Sequence, residues 1–575
     1  MKIKLNEKKS FDWKIEKIAV IGPGIVGMPM AALLAEARIK IGTDEPAKVL
    51  VVQRNSANSG WKVDAINSGK SVIGGIEPGL NDIVERNVAD GILSATHDYS
   101  QLSDADVILI SIQTDKKGFG PDYGPLFGGL TQLAEALQNK PKENIPLIVF
   151  ESTLAPSSMA TVIKEHFEKY GLIEGEDILL GNSPNRVMPG RLVERVVSSD
   201  KLVAGLHPET PKMIKAIYSK VVTKGTLFET NSLTAEIEKT LENAYRDVRI
   251  AFATEIVRYC DDNNIDFYQV RDEINKRLSQ QDNATEDPNA VPSGGLLIPM
   301  IGVGGHCLPK DGILLWWRKI ESGADTSNSL IIKSREINNE SPAETVKLAE
   351  RDFGDISGKK IALLGAAYRF NSEDTRNSPT LVLAQLLKAK GCEVIIHDPF
   401  VKPDDQNLLK YEVNNIFTND LQTSLTGAEY VFVCTAHKYY LDNYENIIQT
   451  AKSMKGLVDG CNIYNKSIYD KIPVKYVGIG RGENKPDKHF IDFVYDSFVA
   501  VEKGIGNELN SLIEFLNDNY AEDEFNKARF TTVRSLADTC ATGCSIVNPD
   551  RINEIEPFNG FGSKLVECAV AAQNE

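Results

Sequence analysis

Lys17-Ile18-Ala19-Val20-Ile21-Gly22-Pro23-Gly24-Ile25-Val26-Gly27 is the stretch whose reading decides the fold. Five residues of buried-strand character run into Gly-x-Gly-x-x-Gly, and an Ala/Leu-rich helix is predicted from Met28 to Ala37. Glycines in that setting allow a tight turn and let a pyrophosphate approach the backbone at a helix N-terminus. Strand, glycine turn and helix in this order predict a dinucleotide-binding α/β unit. The next strand, Val49 to Val52, ends in Gln53-Arg54, where such folds usually offer Asp or Glu to the ribose hydroxyls. Gln53 can hydrogen-bond a hydroxyl and Arg54 can meet a 2′-phosphate, so NAD and NADP both stay open here.

Downstream, Ala105 to Ser111 and Pro146 to Phe150 are further strands, running into Gln113-Thr114-Asp115 and Glu151-Ser152-Thr153. Ligands of open α/β sheets sit outside the carboxyl ends of strands, which singles out Thr114, Glu151 and Thr153; Ser152 reads equally well as a helix cap. A strand at 178–182 empties into a Pro- and Gly-punctuated loop in which Arg186 and Arg191 await phosphate or surface carboxylates. From Thr234 to Asp261 no Gly or Pro interrupts one long helix. Lys239, Asn243 and Arg246 fall on one of its faces, either a donor set for a ligand or a solvated stripe. Beyond Gly302-Val303-Gly304-Gly305 come His306, Cys307, Lys310 and Asp311: a nucleophilic thiol with Lys310 and His306 as activators and Asp311 as orienter, or a small residue packed in a glycine loop. A second strand-to-glycine entry, Lys360 to Gly365, begins another alternation of strands and helices, with strand-end Asp398 and further strands at Tyr430 and Gly456. The fold class is therefore α/β: two Rossmann-like doubly wound domains joined by a long central helix, with helices predicted at 492–516 and 523–540 as a C-terminal extension.

The chain has 575 residues, 42% of them hydrophobic and 25% charged, enough for several cores of ordinary composition. A net charge of −16 disfavours nucleic acid and anionic membrane as partners. No apolar run is long enough to span a bilayer, and Met1 to Lys14 lacks a signal-peptide pattern, so the expected location is cytoplasmic. Eight scattered cysteines suit a reducing compartment. Cys540 and Cys544 lack further ligands nearby, and no metal is expected.

Six motifs occur together and in order: Gly22-x-Gly-x-x-Gly27, Glu151-Ser-Thr153, Ser183-Pro-x-Arg186-Val-x-Pro-Gly190, Lys239-x-x-x-Asn243, Gly304-Gly-His-Cys307-x-Pro-x-Asp311 and Asp374-Thr-Arg376-Asn-Ser-Pro379. From about Lys17 to Gly482 the chain resembles the nucleotide-sugar 6-dehydrogenase family, and its Pro-x-Arg-Val-x-Pro-Gly loop resembles the UDP-N-acetylmannosamine branch. The resemblance implies a four-electron oxidation of a UDP-sugar C6 alcohol with two NAD, through a thiohemiacetal and thioester on Cys307, for surface polysaccharide precursors. It implies catalytic duties for Cys307, Lys239, Asn243, Asp311 and Thr153, and cofactor contacts from Gly22, Gly24, Ile25, Val26, Gly27, Gln53, Arg54, Thr114 and Thr153. Substrate contacts would come from Asn185, Arg186, Val187, Lys239, Asn243, Arg246, Gly304, His306, Tyr368, Arg369 and Arg376. The implied domains are an NAD-binding 1–225, a central helical 226–340, a UDP-sugar-binding 341–484 and an extension 485–575, assembled as a homodimer through the central helix. Where the family carries Glu to activate the hydrolytic water, this chain has Asn185. Glu151 or Asp311 is then expected to take over, and Asn185→Glu is expected to speed acid release. UDP-glucose oxidation, a single-step hydroxy-acid dehydrogenase and a nucleotide-sugar binding protein with impaired catalysis are the alternatives.

Overall fold

The structure is a computed structural model that describes residues 2–5, 7, 9–57, 59–74, 77–138, 140, 145–187, 190–278, 295–540, 558 and 561–571. The chain divides into two compact units: residues 1–242, 314–324 and 510–541 form the first, and 243–313, 325–509 and 542–575 the second.

The first unit is built on an eight-stranded sheet in the spatial order Leu227–Asn231, Lys201–Gly205, Leu179–Asn182, Leu147–Phe150, Val107–Ile110, Lys17–Ile21, Lys48–Val52, Leu93–Thr96. All neighbours are parallel except Leu179–Asn182 against Lys201–Gly205. Its inner strands are apolar runs buried on both faces, as a parallel sheet between helical layers requires, while the edge strands Leu227–Asn231 and Leu93–Thr96 are part-exposed. Counted from Lys17–Ile21, the first six strands of this sheet lie in the order 3-2-1-4-5-6, with the topological switch beside Gly22.

The second unit repeats the plan in six parallel strands: Phe417–Thr418, Glu393–His397, Lys360–Leu364, Tyr430–Val433, Gly456–Asp459, Lys475–Gly478. That is again 3-2-1-4-5-6, so the chain holds two Rossmann-like sheets. The central helix runs Ser232–Asp262, 31 residues without a break.

The extension forms a 33-residue helix, Lys488–Tyr520, then Phe530–Cys540 and Lys564–Ala571. The predicted start at Asp523 gives way to a turn in which Asp523 accepts from the backbone of Asn526. Cys544 and the Cys540 side chain lie outside the described residues. Within the second unit the extension covers the central helix: Phe498 meets Phe252 at 5.8 Å, Phe490 meets Tyr259 at 5.0 Å, and Glu502 accepts from Tyr245 at 2.6 Å. Tyr245, Val248, Phe252 and Ile256 are at most 2% exposed in the single chain. The extension thus covers these apolar side chains of the central helix from within one chain. Among the described residues no helix is long and apolar enough to cross a membrane.

Candidate active site

In the first unit, the glycine turn sits where two strands diverge. A Cβ on Gly27 would overlap the carbonyl oxygen of Gly22, so only glycine lets this helix approach its strand so closely. A Cβ on Gly24 would instead project into open space, room that fits a pyrophosphate. Ile25 is exposed and Val26 half-buried on the outer side of the turn. Gln53 and Arg54 end the adjoining strand; the Gln53 amide donates to Ser59 Oγ at 2.9 Å, and Arg54 is exposed. Thr114, buried, donates to the carbonyl of Thr153 at 2.7 Å, tying two strand ends together. Ser152 caps no helix but donates to the Ile112 carbonyl at 2.5 Å.

Behind these strand ends lies a buried charged cluster. Glu151 accepts from Tyr218 Oη, from the Asn185 side-chain amide and, at 3.1 Å, from Lys201 Nζ. Lys201 also donates to Asn185 Oδ1 at 2.9 Å and to the Ser183 carbonyl at 2.8 Å. Burial pushes the Glu151 carboxyl up and the Lys201 ammonium down, each opposed by the charge of the other. Sequence alone does not single out Lys201 or Tyr218; a charged residue opening the apolar strand Lys201-Leu-Val-Ala-Gly205 is the one local signal of the cluster.

Arg186 pairs with carboxylates of the central helix, Glu238 among them fully buried, and not with the exposed surface carboxylates that its loop suggested. Its guanidinium meets Glu238 at 2.5 Å and Glu242 at 2.9 Å, two carboxylates from the central helix. Lys239 is 7% exposed, with Nζ 3.5 Å from Glu242, so it does not belong to a solvated stripe. Burial raises both carboxyls; in Glu242 the charges of Lys239 and Arg186 more than offset it and hold the group low, while Glu238 stays above its usual range. Arg191 is exposed and pairs with Glu194. Val187 packs half-buried against the apolar core of this unit.

In the second unit two distant motifs meet. Cys307 is exposed and immediately precedes the helix Leu308–Glu321; its carbonyl accepts from the amides of Lys310 at 3.0 Å and Asp311 at 2.9 Å. The preceding loop is pinned by the Asp374–Pro379 segment: Gly305 N donates to the Arg376 carbonyl at 2.8 Å, and Asn377 donates to the Gly305 carbonyl at 2.9 Å. Gly305 has φ +87°, and a Cβ there would press on the Tyr368 ring at 2.9 Å; one on Gly304 would sit 2.5 Å from Tyr368 Cβ. Arg376 is held by Asp374 at 2.6 Å, which raises its affinity for a proton, and negative charge at Cys307 adds to the effect. Burial raises the Tyr368 phenol, with Asp374 and Cys307 adding. Sulfur, phenol and guanidinium are therefore close enough to influence one another.

Lys310 was expected to activate Cys307; instead its ammonium is buried and paired with Asp311 at 2.5 Å. The other Asp311 oxygen accepts from Asn243 Nδ2 at 2.6 Å. Asp311, wholly buried, thus orients an amide of the central helix. Arg246 and His306 are half-buried, and Arg369 stacks over Phe370 at 5.3 Å.

Two doubly wound sheets, a glycine turn shaped for a dinucleotide and an exposed thiol opening a helix define a nucleotide-dependent oxidoreductase. Family comparison makes this specific. Residues 16–222 match the NAD binding domain, 233–340 the central domain and 362–466 the UDP binding domain of the UDP-glucose/GDP-mannose dehydrogenase family, and the chain belongs to that family. It is 30% identical over 477 residues to UDP-N-acetyl-D-mannosamine dehydrogenase of Pyrococcus horikoshii, covering 81% of this chain and 100% of that one. The corresponding protein of Campylobacter jejuni is 29% identical over 440 residues, or 75% of this chain and 97% of that one. Among solved structures, an NDP-N-acetyl-D-galactosaminuronic acid dehydrogenase from Methanosarcina mazei aligns with TM-score 0.67 and 30% identity, covering 82% of this chain and 96% of that one. The chain is thus an NAD-dependent oxidoreductase of this family.

Proposed function

We propose that this chain oxidises the C6 hydroxyl of a UDP-N-acetylhexosamine, UDP-N-acetyl-D-mannosamine first among them, to the uronic acid through covalent attachment to Cys307. The observation that carries the reading is the Cys307 loop, pinned by the Arg376 carbonyl, the Asn377 amide and the Tyr368 ring, with Asp311 holding Asn243. NAD, when bound, accepts one hydride from C6 in each of two oxidations. In the first the alcohol loses hydride and proton to become an aldehyde, and Cys307 Sγ adds to the carbonyl carbon as a thiohemiacetal. In the second that carbon loses its remaining hydride and the oxygen its proton, leaving a thioester. Water then adds, the C–S bond breaks, and acid and thiol are released.

The protein's own part is orientation and charge. The positive end of the helix Leu308–Glu321 and the Arg376 guanidinium favour the sulfur anion. Lys239 and Asn243 would hold the negative oxygen that develops at C6, and Thr153 would position the water. Glu151 and Asp311 are the two carboxylates available for the proton duty that Asn185 cannot perform. A uronic acid nucleotide of this kind would feed surface polysaccharide synthesis. The names of the similar proteins favour a UDP-N-acetylhexosamine over UDP-glucose.

The test is NADH counted per sugar over a panel of UDP-sugars. Two per sugar are expected, and Cys307→Ser is expected to yield no acid. Acid formed by Cys307→Ser at the native rate would overturn the covalent route, and one NADH per sugar would make this a simple alcohol dehydrogenase.

A further inference from the structure

The strand that would meet the adenosine end of the cofactor ends without a carboxylate. In this topology the ribose 2′-position of a bound dinucleotide lies at the carboxyl end of the strand after the glycine turn, here Lys48–Val52. A carboxylate there favours NAD by accepting from the 2′-hydroxyl and repelling a 2′-phosphate. In this chain the strand ends in neutral Gln53 and cationic Arg54, and the nine residues from Gln53 to Trp61 contain no acidic side chain.

The loop that follows supplies more donors. Ser56 Oγ and Ser59 Oγ lie 2.7 Å apart, and the Gln53 amide donates to Ser59 Oγ at 2.9 Å, which gathers three polar groups at the strand end. Lys62 reaches back to the glycine turn, with Nζ donating to the Pro23 carbonyl at 3.3 Å. A second cation therefore stands beside the turn that would hold the pyrophosphate. Burial lowers the proton affinity of Lys62, and neither it nor Arg54 is ion-paired to a carboxylate among the described residues. Elsewhere in this unit buried cations have acquired carboxylates, as Arg186 and Lys201 show. Two cations left without one, flanked by hydroxyls, suit a phosphate dianion.

We propose that Arg54 and Lys62, with Ser56 and Ser59, form a 2′-phosphate pocket, so that the chain takes a 2′-phosphorylated nicotinamide dinucleotide as well as NAD. Arg54 is the fork for the phosphate oxygens and Lys62 the point charge between phosphate and turn. The inference rests on the dehydrogenase reading but not on the sugar. Its test therefore uses binding alone: calorimetric titration of the full chain with NADPH, NADH, adenosine 2′,5′-bisphosphate and AMP, without sugar.

NADPH is expected to bind within about threefold of NADH, and the bisphosphate more tightly than AMP. One or two charge-assisted hydrogen bonds correspond to about a tenfold change or more. Arg54→Glu should therefore shift the NADPH-to-NADH affinity ratio at least about tenfold toward NADH, with Lys62→Met shifting it the same way. A native preference for NADH of more than about tenfold, or variants that weaken both dinucleotides equally, would overturn the pocket. Failure to bind any of the four would overturn it together with the dinucleotide reading, whereas binding without sugar oxidation would leave it standing and remove only the proposed substrate.

Discussion

Changing Asn185 to Glu tests the buried cluster behind the first sheet, and the structure reverses what the sequence leads one to expect. The Asn185 amide donates to Glu151 while its carbonyl accepts from Lys201 at 2.9 Å. A glutamate there loses the donor and adds a charge. At separations of about 3–4 Å and an effective dielectric near 20, attraction to Lys201 and repulsion by Glu151 are each about 4–5 kcal/mol and roughly cancel. The desolvation cost of a second buried carboxylate remains, several kcal/mol, so the pair would retain one shared proton at neutral pH. Keeping a proton at pH 7 on a group with an unperturbed pKa of about 4.3 costs about 3.7 kcal/mol. The variant's folded-state pKa lies above its unfolded value, so its deficit is small near pH 4.5 and grows as pH rises toward 7. Urea midpoints of variant and native chains from pH 5 to 8 should diverge with rising pH, and acid release should slow. Parallel midpoints, or faster acid release by the variant, would refute the reasoning.

Gly27→Ala should weaken NADH binding at least about tenfold and lower the thermal midpoint, because the added methyl displaces a backbone carbonyl. Gly24→Ala should spare the thermal midpoint while still weakening NADH, since its methyl meets only the space meant for the cofactor; equal loss of stability in both would count against the turn geometry. Glu502 is pushed up to about 7 by burial, opposed by Arg249 and Tyr245. Its folded pKa exceeds the unfolded value near 4.5, so its share of stability is complete below about pH 4.5 and is lost as pH rises toward 7, about 3 kcal/mol in all. Glu502→Gln should flatten the fall of the thermal midpoint between pH 5 and 7; an unchanged slope would remove Glu502 as its source.

The inner strands of both sheets were legible because each is a short apolar run closed by Gly or a polar strand end, a pattern that parallel strands buried on both faces require; edge strands such as Leu93–Thr96, Leu227–Asn231 and Phe417–Thr418, which are short or carry exposed residues, were not. The meeting of Gly304–Cys307 with Asp374–Pro379 was legible only as two motifs, since nothing local says that Gly305 must yield to the Tyr368 ring. The destinations of the buried charges were not legible. Arg186, Lys201 and Lys310 each found a carboxylate that makes burial tolerable, and that choice belongs to tertiary packing, not to sequence spacing. Sequence marks where a cation is, and desolvation decides which anion it must reach.

The central helix presents two working faces. Tyr245, Arg249, Phe252, Ile256 and Tyr259 recur at three- and four-residue intervals and so share one face, and the extension meets it through Glu502, Phe498 and Phe490. Lys239, Asn243 and Arg246 share another, centred roughly 130° around the axis at 3.6 residues per turn. The role proposed for Asn243 at a developing charge depends on a backbone that does not drift, and a helix gains that precision when its other side is fixed. In the second unit the extension performs that service within one chain. The residues with no counterpart in the six motifs thereby bear on how firmly the motif residues are held.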